Sequence, residues 1–311
     1  GFDSPLPFKH IKPKIMNVLS LFDGMSCGQI ALNKIGIKPT NYFASEIKSH
    51  AIETTAKNYP NTMQLGDVQW LTKYTFGGHK IDLLIGGSPC QDFSGANKQR
   101  EGIDGQKSSL FWEFVRLKRD LKPTYFLLEN VRMSKENQNL VSKALKCEPI
   151  VINSQSVSGQ LRHRLYWTNI PLSGIEGNDV QLQDVLTSGY TDRAKSRCLL
   201  ESDSRPSATP VKMFHRYYST GFTTLVFKDE RHYLDCKAHY DANYKGKKAS
   251  EILDSPEVYN GLRYLNQIEL ERLQTVPEGY TSNLTRNMSA CLLGDGWTID
   301  VIAQIFKGMR F

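Results

Sequence analysis

Cys90 stands in the run Gly86-Gly87-Ser88-Pro89-Cys90-Gln91, directly behind a proline in a glycine-bearing turn. Such a turn presents a thiol rigidly. A thiolate is a competent nucleophile when a cation or a helix N-terminus stabilises it. A lone cysteine is more often a small buried hydrophobe, but the flanking turn argues against that reading. Glu129-Asn130-Val131 closes the apolar run TYFLLENV, where a carboxylate contributes nothing to packing and is expected to serve chemistry. Gln160-Leu161-Arg162-His163-Arg164 precedes the strand-like LYWTN. Alternation along a strand predicts that Gln160, Arg162 and Arg164 share one face, and arginines facing a pocket require anionic partners. The polar stretch 92–109, with Lys98, Arg100 and Lys107, reads as a loop able to close on a phosphate backbone.

A second set of residues falls at the ends of apolar runs. Phe22-Asp23-Gly24-Met25-Ser26-Cys27-Gly28 follows NVLSL, and its glycines permit a tight turn and close approach of a ligand to the backbone. The spacing is not GxGxxG, which disfavours a dinucleotide. Glu46 follows the second run, where a carboxylate can take two ribose hydroxyls, and Asp67 of Gly66-Asp67-Val68 can accept from an adenine amino group. A single acidic residue at such a place is commonly a helix cap. Three in this order favour an adenosine-containing cofactor without a pyrophosphate.

The elements needed to position these residues are those of a parallel sheet. Apolar runs alternate with helical stretches (QIALNKIG, SHAIETTAKNYP, SLFWEFVRLKRDL) from Met16 to Pro171, the rhythm of βαβ units, whose ligands bind beyond the strands' carboxyl ends. Residues 1–15 read as an N-terminal arm, with Met16 a candidate start. From 172 to 258 the alternation stops and the text turns polar, glycine-bearing and aromatic, read as a small inserted domain of strands and loops. Regularity returns in LNQIELERLQTV, a helix expected to turn Ile268, Leu270 and Leu273 inward, and in TIDVIAQIFKGM. The 311 residues allow about two domains at roughly 150 residues each. Thirty-nine Lys and Arg against 32 Asp and Glu leave a charge of +7, which permits a polyanionic partner. Six scattered cysteines make no disulfide scaffold or CxxC zinc pair, so no metal is expected and the default is a reducing, intracellular setting. The longest apolar runs fall short of the roughly 20 residues of a membrane span, so no membrane association is expected.

These residues together resemble one family. FDGMSCG, Glu46, GDV, GGSPCQ, ENV, QLRHR, RYLNQIELERLQTVPEGYT and GDGW occur in the order of the DNA cytosine 5-methyltransferases and cover nearly all of 16–311 outside the insertion. FDG, FWEF and LLGDGW look like the animal de novo group, whereas the compact length looks bacterial or viral. The resemblance implies a class I S-adenosylmethionine (SAM)-dependent methyltransferase fold. This is an α/β, Rossmann-like, mostly parallel seven-stranded sheet with a smaller inserted target-recognition domain. The divisions would be a catalytic SAM-binding domain at 16–171, the recognition domain at 172–258 and a completing segment at 259–311.

The resemblance also implies roles. Phe22 would pack on the adenine, Asp23, Gly24 and Ser26 would meet the methionine end, Glu46 the ribose, and Asp67 and Val68 the adenine. Pro89 and Leu110 would line the pocket, and Asp295, Gly296 and Trp297 would close it. Asp295 replaces the Asn of many members and Cys27 the Gly. Cys90 would attack carbon 6 of a cytosine flipped from duplex DNA, at a cost of a few kcal/mol. Glu129 would bind its ring nitrogen and amino group, and Arg162 and Arg164 would steady base and carboxylate. Methyl transfer to carbon 5 would leave S-adenosylhomocysteine. Gln91, Ser94, Lys98, Arg100, Gln160 and Arg216 would contact the DNA. Arg193, Lys195, Arg197 and the loop Ser219-Thr220-Gly221 are further candidates in the insertion. The alternatives are a transfer RNA cytosine 5-methyltransferase and a non-catalytic DNA-binding accessory protein. Trp112 in FWEF would mediate self-association or sit in the core, the chain otherwise being a monomer. The expected place is the cytoplasm of a bacterial or phage-infected cell, or a nucleus.

Overall fold

The computed structural model describes residues 16–89, 109–200, 207–221 and 223–310. Cys90, Gln91, Ser94, Lys98 and Arg100 lie outside them. A seven-stranded sheet organises the chain. Its strands are β1 (Asn17–Leu21), β2 (Asn41–Ser45), β3 (Met63–Gln64), β4 (Leu83–Gly86), β5 (Tyr125–Val131), β6 (Ile150–Asn153) and β7 (His163–Thr168), in the order β3-β2-β1-β4-β5-β7-β6. The first five in that order run parallel, and β7 is antiparallel to both neighbours.

Side chains alternate between two cores, as the twofold period of a strand requires. Val18, Leu83, Ile85 and Leu127 enter one core with α1 (Cys27–Lys34) and α10 (Ile299–Phe306). Leu19, Leu21, Leu84, Phe126 and Leu128 enter the other with α3 (Ser109–Leu121) and α4 (Lys135–Leu145). Burial on both faces is why these strands read as continuous apolar runs. Connections leave β1 toward β2 and return to β4 on its other side, so a crevice opens at their carboxyl ends. Leu21 pairs with Gly86, and Gly86 with Leu128, which sets the turns after β1 and β4 beside Glu129.

Two expectations fail here. The insertion is helical, not stranded: α6 (Pro210–His215) runs into a π-helical turn (Arg216–Thr220), and α7 (Glu230–Asn243) is the longest element, against a two-residue pair β8 (Leu225–Val226) and β9 (Arg263–Tyr264). α7 gives no aliphatic period in the sequence, because its buried face is made of Cys236 and Tyr240. The insertion's own core of Phe214, Tyr217, Phe227, Tyr240, Tyr244 and Tyr259 spans Val211 to Leu262. Leu182, Val185 and Leu199 pack instead into the main core, so by packing the insertion begins later than 172. In α8 (Gln267–Leu273), Leu270 and Leu273 are buried but Ile268 is 38% exposed, and Glu269 and Glu271 are buried. Glu269 pairs with Arg263 at 2.7 Å and caps Asn266, while Glu271 accepts from the Gly279 and Thr281 amides. A helix that must tie two loops turns its carboxylates inward, because buried N–H groups need acceptors.

Gln274, just past α8, ties the last segment to this body. Its Nε2 donates to Leu293 O at 2.7 Å, its Oε1 accepts from Gln160 Nε2 and Thr298 Oγ1, each at 3.0 Å, and its carbonyl accepts from Ile299 N. Gln274→Ala strands these buried groups, so the variant is expected to lose about 2–4 kcal/mol of stability in denaturant unfolding; a loss under about 0.5 kcal/mol would contradict the tie.

Candidate active site

Glu129, near the end of β5, is 7% exposed. Both carboxylate oxygens are held: Oε1 lies 2.9 Å from Arg164 Nε, and Oε2 accepts from Trp297 Nε1 at 3.1 Å. The antiparallel pairing of β7 sets Arg164 opposite Val131, which brings its guanidinium to the carboxylate. Gly87 passes so close that a Cβ there would stand 3.0 Å from Trp297 Nε1 and 3.2 Å from Glu129 Oε2, so the turn after β4 reaches the clamp only as glycine. Asn130 Nδ2 donates to Ser88 Oγ at 3.1 Å and fixes that turn one residue before Pro89.

Glu129 opens into a cavity of about 390 Å³ that runs to the β1–β2 edge. Phe22, Val68, Pro89 and Leu110 supply apolar lining, and Glu46 and Asp67 supply carboxylates. The turn after β1 is strained: Phe22 and Ser26 have φ of 55° and 63°, left-handed values unfavourable for side chains. It is over-determined by its bonds. Asp23 N donates to Ser45 O, Gly24 N to Glu46 Oε2, and Tyr280 OH to Met25 O. Ser26 Oγ and Tyr42 OH donate to the Asp23 carboxylate.

Of the residues expected around the cofactor, Phe22, Asp23, Gly24, Glu46, Asp67, Val68, Pro89, Leu110, Asp295, Gly296 and Trp297 line this cavity. Ser26 is fully buried behind it, capping Asp23. Glu46 already accepts from the Gly24, Ile47 and Lys48 amides, which fix its carboxylate while leaving lone pairs for hydroxyl donors. Asp67 accepts from Gln69 N through Oδ1 alone. Asp295 pairs with Lys48 at 2.7 Å. Cys27 accepts from Trp297 N at 3.4 Å, and burial pushes its thiol up to about 12, so it stays neutral.

Other residues fall elsewhere. Gln160 does not share a face with Arg162 and Arg164: β7 begins only at His163, and Gln160 sits wholly buried in the turn before it, its amide bonded to Leu273 O and Gln274. It is a tie within the core, not a surface group for DNA. Arg162 does not touch Glu129. Its guanidinium donates to Leu199 O, Gly294 O and Gly296 O, holding the segment that carries Trp297. Of the two arginines only Arg164 contacts the carboxylate. In the insertion, Arg193 donates to Gly221 O and Thr223 O and lies over the Tyr217 ring, and Lys195 donates to Ser158 O and Val180 O, so both are internal supports. Arg216 is half-buried in the π-helical turn, and Trp112 stands 43% exposed on α3 rather than in the core. Tyr42, which donates to Asp23, Asn130, which fixes the turn at Ser88, and Gln274, which ties down the segment before Trp297, were not expected from the sequence. Only Asn130, inside ENV, carried a local signal.

Residues 16–156 match the model of the C-5 cytosine-specific DNA methylase family. The DNA (cytosine-5)-methyltransferase DRM2 of Oryza sativa subsp. japonica is 36% identical over 126 residues, 36% of this chain and 21% of that protein. The type II methyltransferase M.Eco47II of Escherichia coli is 38% identical over 124 residues, 39% of this chain and 28% of that protein. The chain thus spans less than a third of the length of the curated relatives it matches. DNMT2 of Spodoptera frugiperda superposes with a TM-score of 0.70 at 19% identity, over 94% of this chain and 99% of that one. The S. pombe Dnmt2 methyltransferase gives 0.65 at 17%, over 94% and 97%. The fold is the one these two structures share.

Burial lifts the Asp23 carboxyl from 3.8 to about 6, against the hydrogen bonds of Ser20, Ser26 and Tyr42, with Glu46 adding to the rise. A folded value above the unfolded one favours the fold below the unfolded value and loses that contribution as pH rises through the folded value. Wild type is therefore expected to lose about 2 kcal/mol relative to Asp23→Asn between pH ~4 and ~7. Denaturant unfolding of both proteins across that range checks it, and parallel stability curves would refute it.

Proposed function

We propose, from the match of residues 16–156 to the model of the C-5 cytosine-specific DNA methylase family, that this chain is a SAM-dependent DNA (cytosine-5)-methyltransferase. The observation that carries the reading is Glu129, fixed at both oxygens at one end of a cavity whose other end offers Glu46 and Asp67 among apolar walls. That donor set suits an adenosine: carboxylates for ribose hydroxyls and an amino group, and Phe22, Val68 and Leu110 for a flat ring. When bound, SAM supplies a methyl group on a sulfonium, which accepts the electron pair of cytosine carbon 5.

The chain's own residues prepare that carbon. Cys90 follows Pro89, a cavity-lining residue held by the turn that Asn130 fixes. Addition of its thiolate to carbon 6 places electron density on carbon 5 and negative charge on the ring. Glu129, oriented by Arg164 and Trp297 and carrying a proton in this step, donates to the ring nitrogen and accepts from the exocyclic amine, which disperses that charge. Loss of the carbon 5 proton and expulsion of the thiolate then restore the ring. The target base must leave the duplex to reach Glu129. The insertion is assigned to target recognition and duplex DNA to the substrate. All the residues of this chemistry are present, which favours an enzyme over an accessory module.

Transfer of labelled methyl from SAM to duplex DNA, single-stranded DNA and RNA tests the reading, and bisulfite sequencing locates the product. Duplex DNA is the expected acceptor; transfer to RNA alone would overturn the substrate. Cys90→Ser is expected to abolish transfer and Glu129→Gln to slow it about 10²–10⁴-fold, with SAM binding retained in both. Activity surviving in Cys90→Ser would remove the nucleophile. By titration calorimetry, Glu46→Ala should weaken SAM binding about tenfold or more, the worth of a hydrogen bond to a charged group; unchanged affinity would remove Glu46 from the ribose.

A further inference from the structure

The charges around Glu129 do not balance. Arg164, its side chain 11% exposed, and Arg162, 4% exposed, stand beside one carboxylate, and that carboxylate pairs with Arg164. Among the described residues Arg162 makes no ion pair and meets only carbonyl oxygens and a sulfur. A buried cation with neutral partners alone is costly. The sulfur is Cys198 Sγ, 3.2 Å from Arg162 Nη1 and 3.5 Å from Arg164 Nη2, so both guanidinium groups donate to it. Its place is fixed by the backbone: Leu161 N donates to Ser196 O, Ser196 N to Gly159 O, and Leu199 N to Gln160 Oε1.

We propose that Cys198 is a positioning residue of the active site, its sulfur the thiolate counter-anion of the Arg162–Arg164 pair. It holds Arg164 against Glu129 and Arg162 against the Gly294–Gly296 turn. Burial by itself would push this thiol up, but Arg162 and Arg164 outweigh it and hold Cys198 below the ordinary thiol range. The effect is mutual: burial opposes the Arg164 charge, and Cys198, ahead of Glu129 and Tyr166, restores it. Glu129, Tyr166 and the neutral Cys27 complete the titratable groups around the cluster. Glu129 thus sits in a field that includes a second anion, and the orientation of Arg164 depends on both.

The proposal rests on the methyltransferase reading only for its kinetic arm. In that arm, Cys198→Asp, which keeps an anion, and Cys198→Asn, which has the same shape without charge, are compared with Cys198→Ser. The Asp variant is expected to exceed the Asn and Ser variants about tenfold in kcat, with KM for SAM changed little. An Asp variant no better than Asn overturns the proposal. The second arm needs no activity. The ultraviolet thiolate absorbance of wild type minus that of a folded Cys198 variant is titrated with pH. A difference band present at neutral pH, below the ~8.5 of a free thiol, supports the counter-anion. A band that develops only at or above that value overturns it, whether or not the chain transfers methyl groups.

Discussion

A carboxylate buried at a strand end needs partners, and the rest of the molecule follows from where Glu129 finds them. Arg164 comes from β7, two strands further on, and Trp297 from a segment 168 residues away. Removing either would leave a buried charge short of a donor, at a cost comparable to much of a domain's net stability. The chain therefore has to return to the sheet after its insertion, and the means of return are visible. Gln274 binds Leu293, Thr298 and Gln160, and Arg162 binds the Gly294 and Gly296 carbonyls. These contacts set the indole of Trp297 against Glu129, and they explain why a second helical core can be inserted without loosening the first.

The other end of the cavity rests on a different constraint. Left-handed Phe22 and Ser26 store conformational strain of order 1–3 kcal/mol each. The hydrogen bonds that hold them converge on Asp23 and Glu46, so one of the two carboxylates closest to the turn is committed to its shape and the other both to shape and, in the proposed function, to ligand. The cavity is thus rigid at both ends and apolar between them. That arrangement suits a reaction whose two centres must be held in line, because orientation lowers a barrier only when neither partner moves.

Much of this was legible in the chain, for a reason that also marks where legibility stopped. Strands buried on both faces announce themselves as apolar runs, and residues with unusual chemistry at their ends, Glu46, Asp67 and Glu129, stand out against that background. Local alternation misled at Gln160, because the strand begins three residues later and the preceding turn reverses the expected facing. It misled at Ile268 as well, where two loops claim the carboxylates of Glu269 and Glu271 and turn the helix about its axis. α7 carries no aliphatic stripe, since aromatic rings build the insertion's core. The partners of Glu129 and the sulfur between the arginines are long-range, and no spacing rule reaches across 34 to 168 residues.

The insertion's basic residues divide by what their charge is used for. Arg193 and Lys195 donate to backbone carbonyls within the fold, and Arg231 and Lys237 pair with Asp235 and Asp241 along α7. Counting such residues as contacts to a polyanion would overstate the reach of the insertion, because a guanidinium that anchors a loop is worth more to that loop than to a screened phosphate. Arg197 differs. It is exposed, its guanidinium has no hydrogen-bonded or ionic partner among the described residues, and it lies one residue from Cys198, with Nη2 3.7 Å from where a Cβ of Gly221 would be. The backbone that brings a sulfur to Arg162 and Arg164 therefore carries an exposed cation beside the loop that Arg193 supports. On the proposed function, a cation facing the duplex and a sulfur facing the arginines beside Glu129 are neighbours on one short segment.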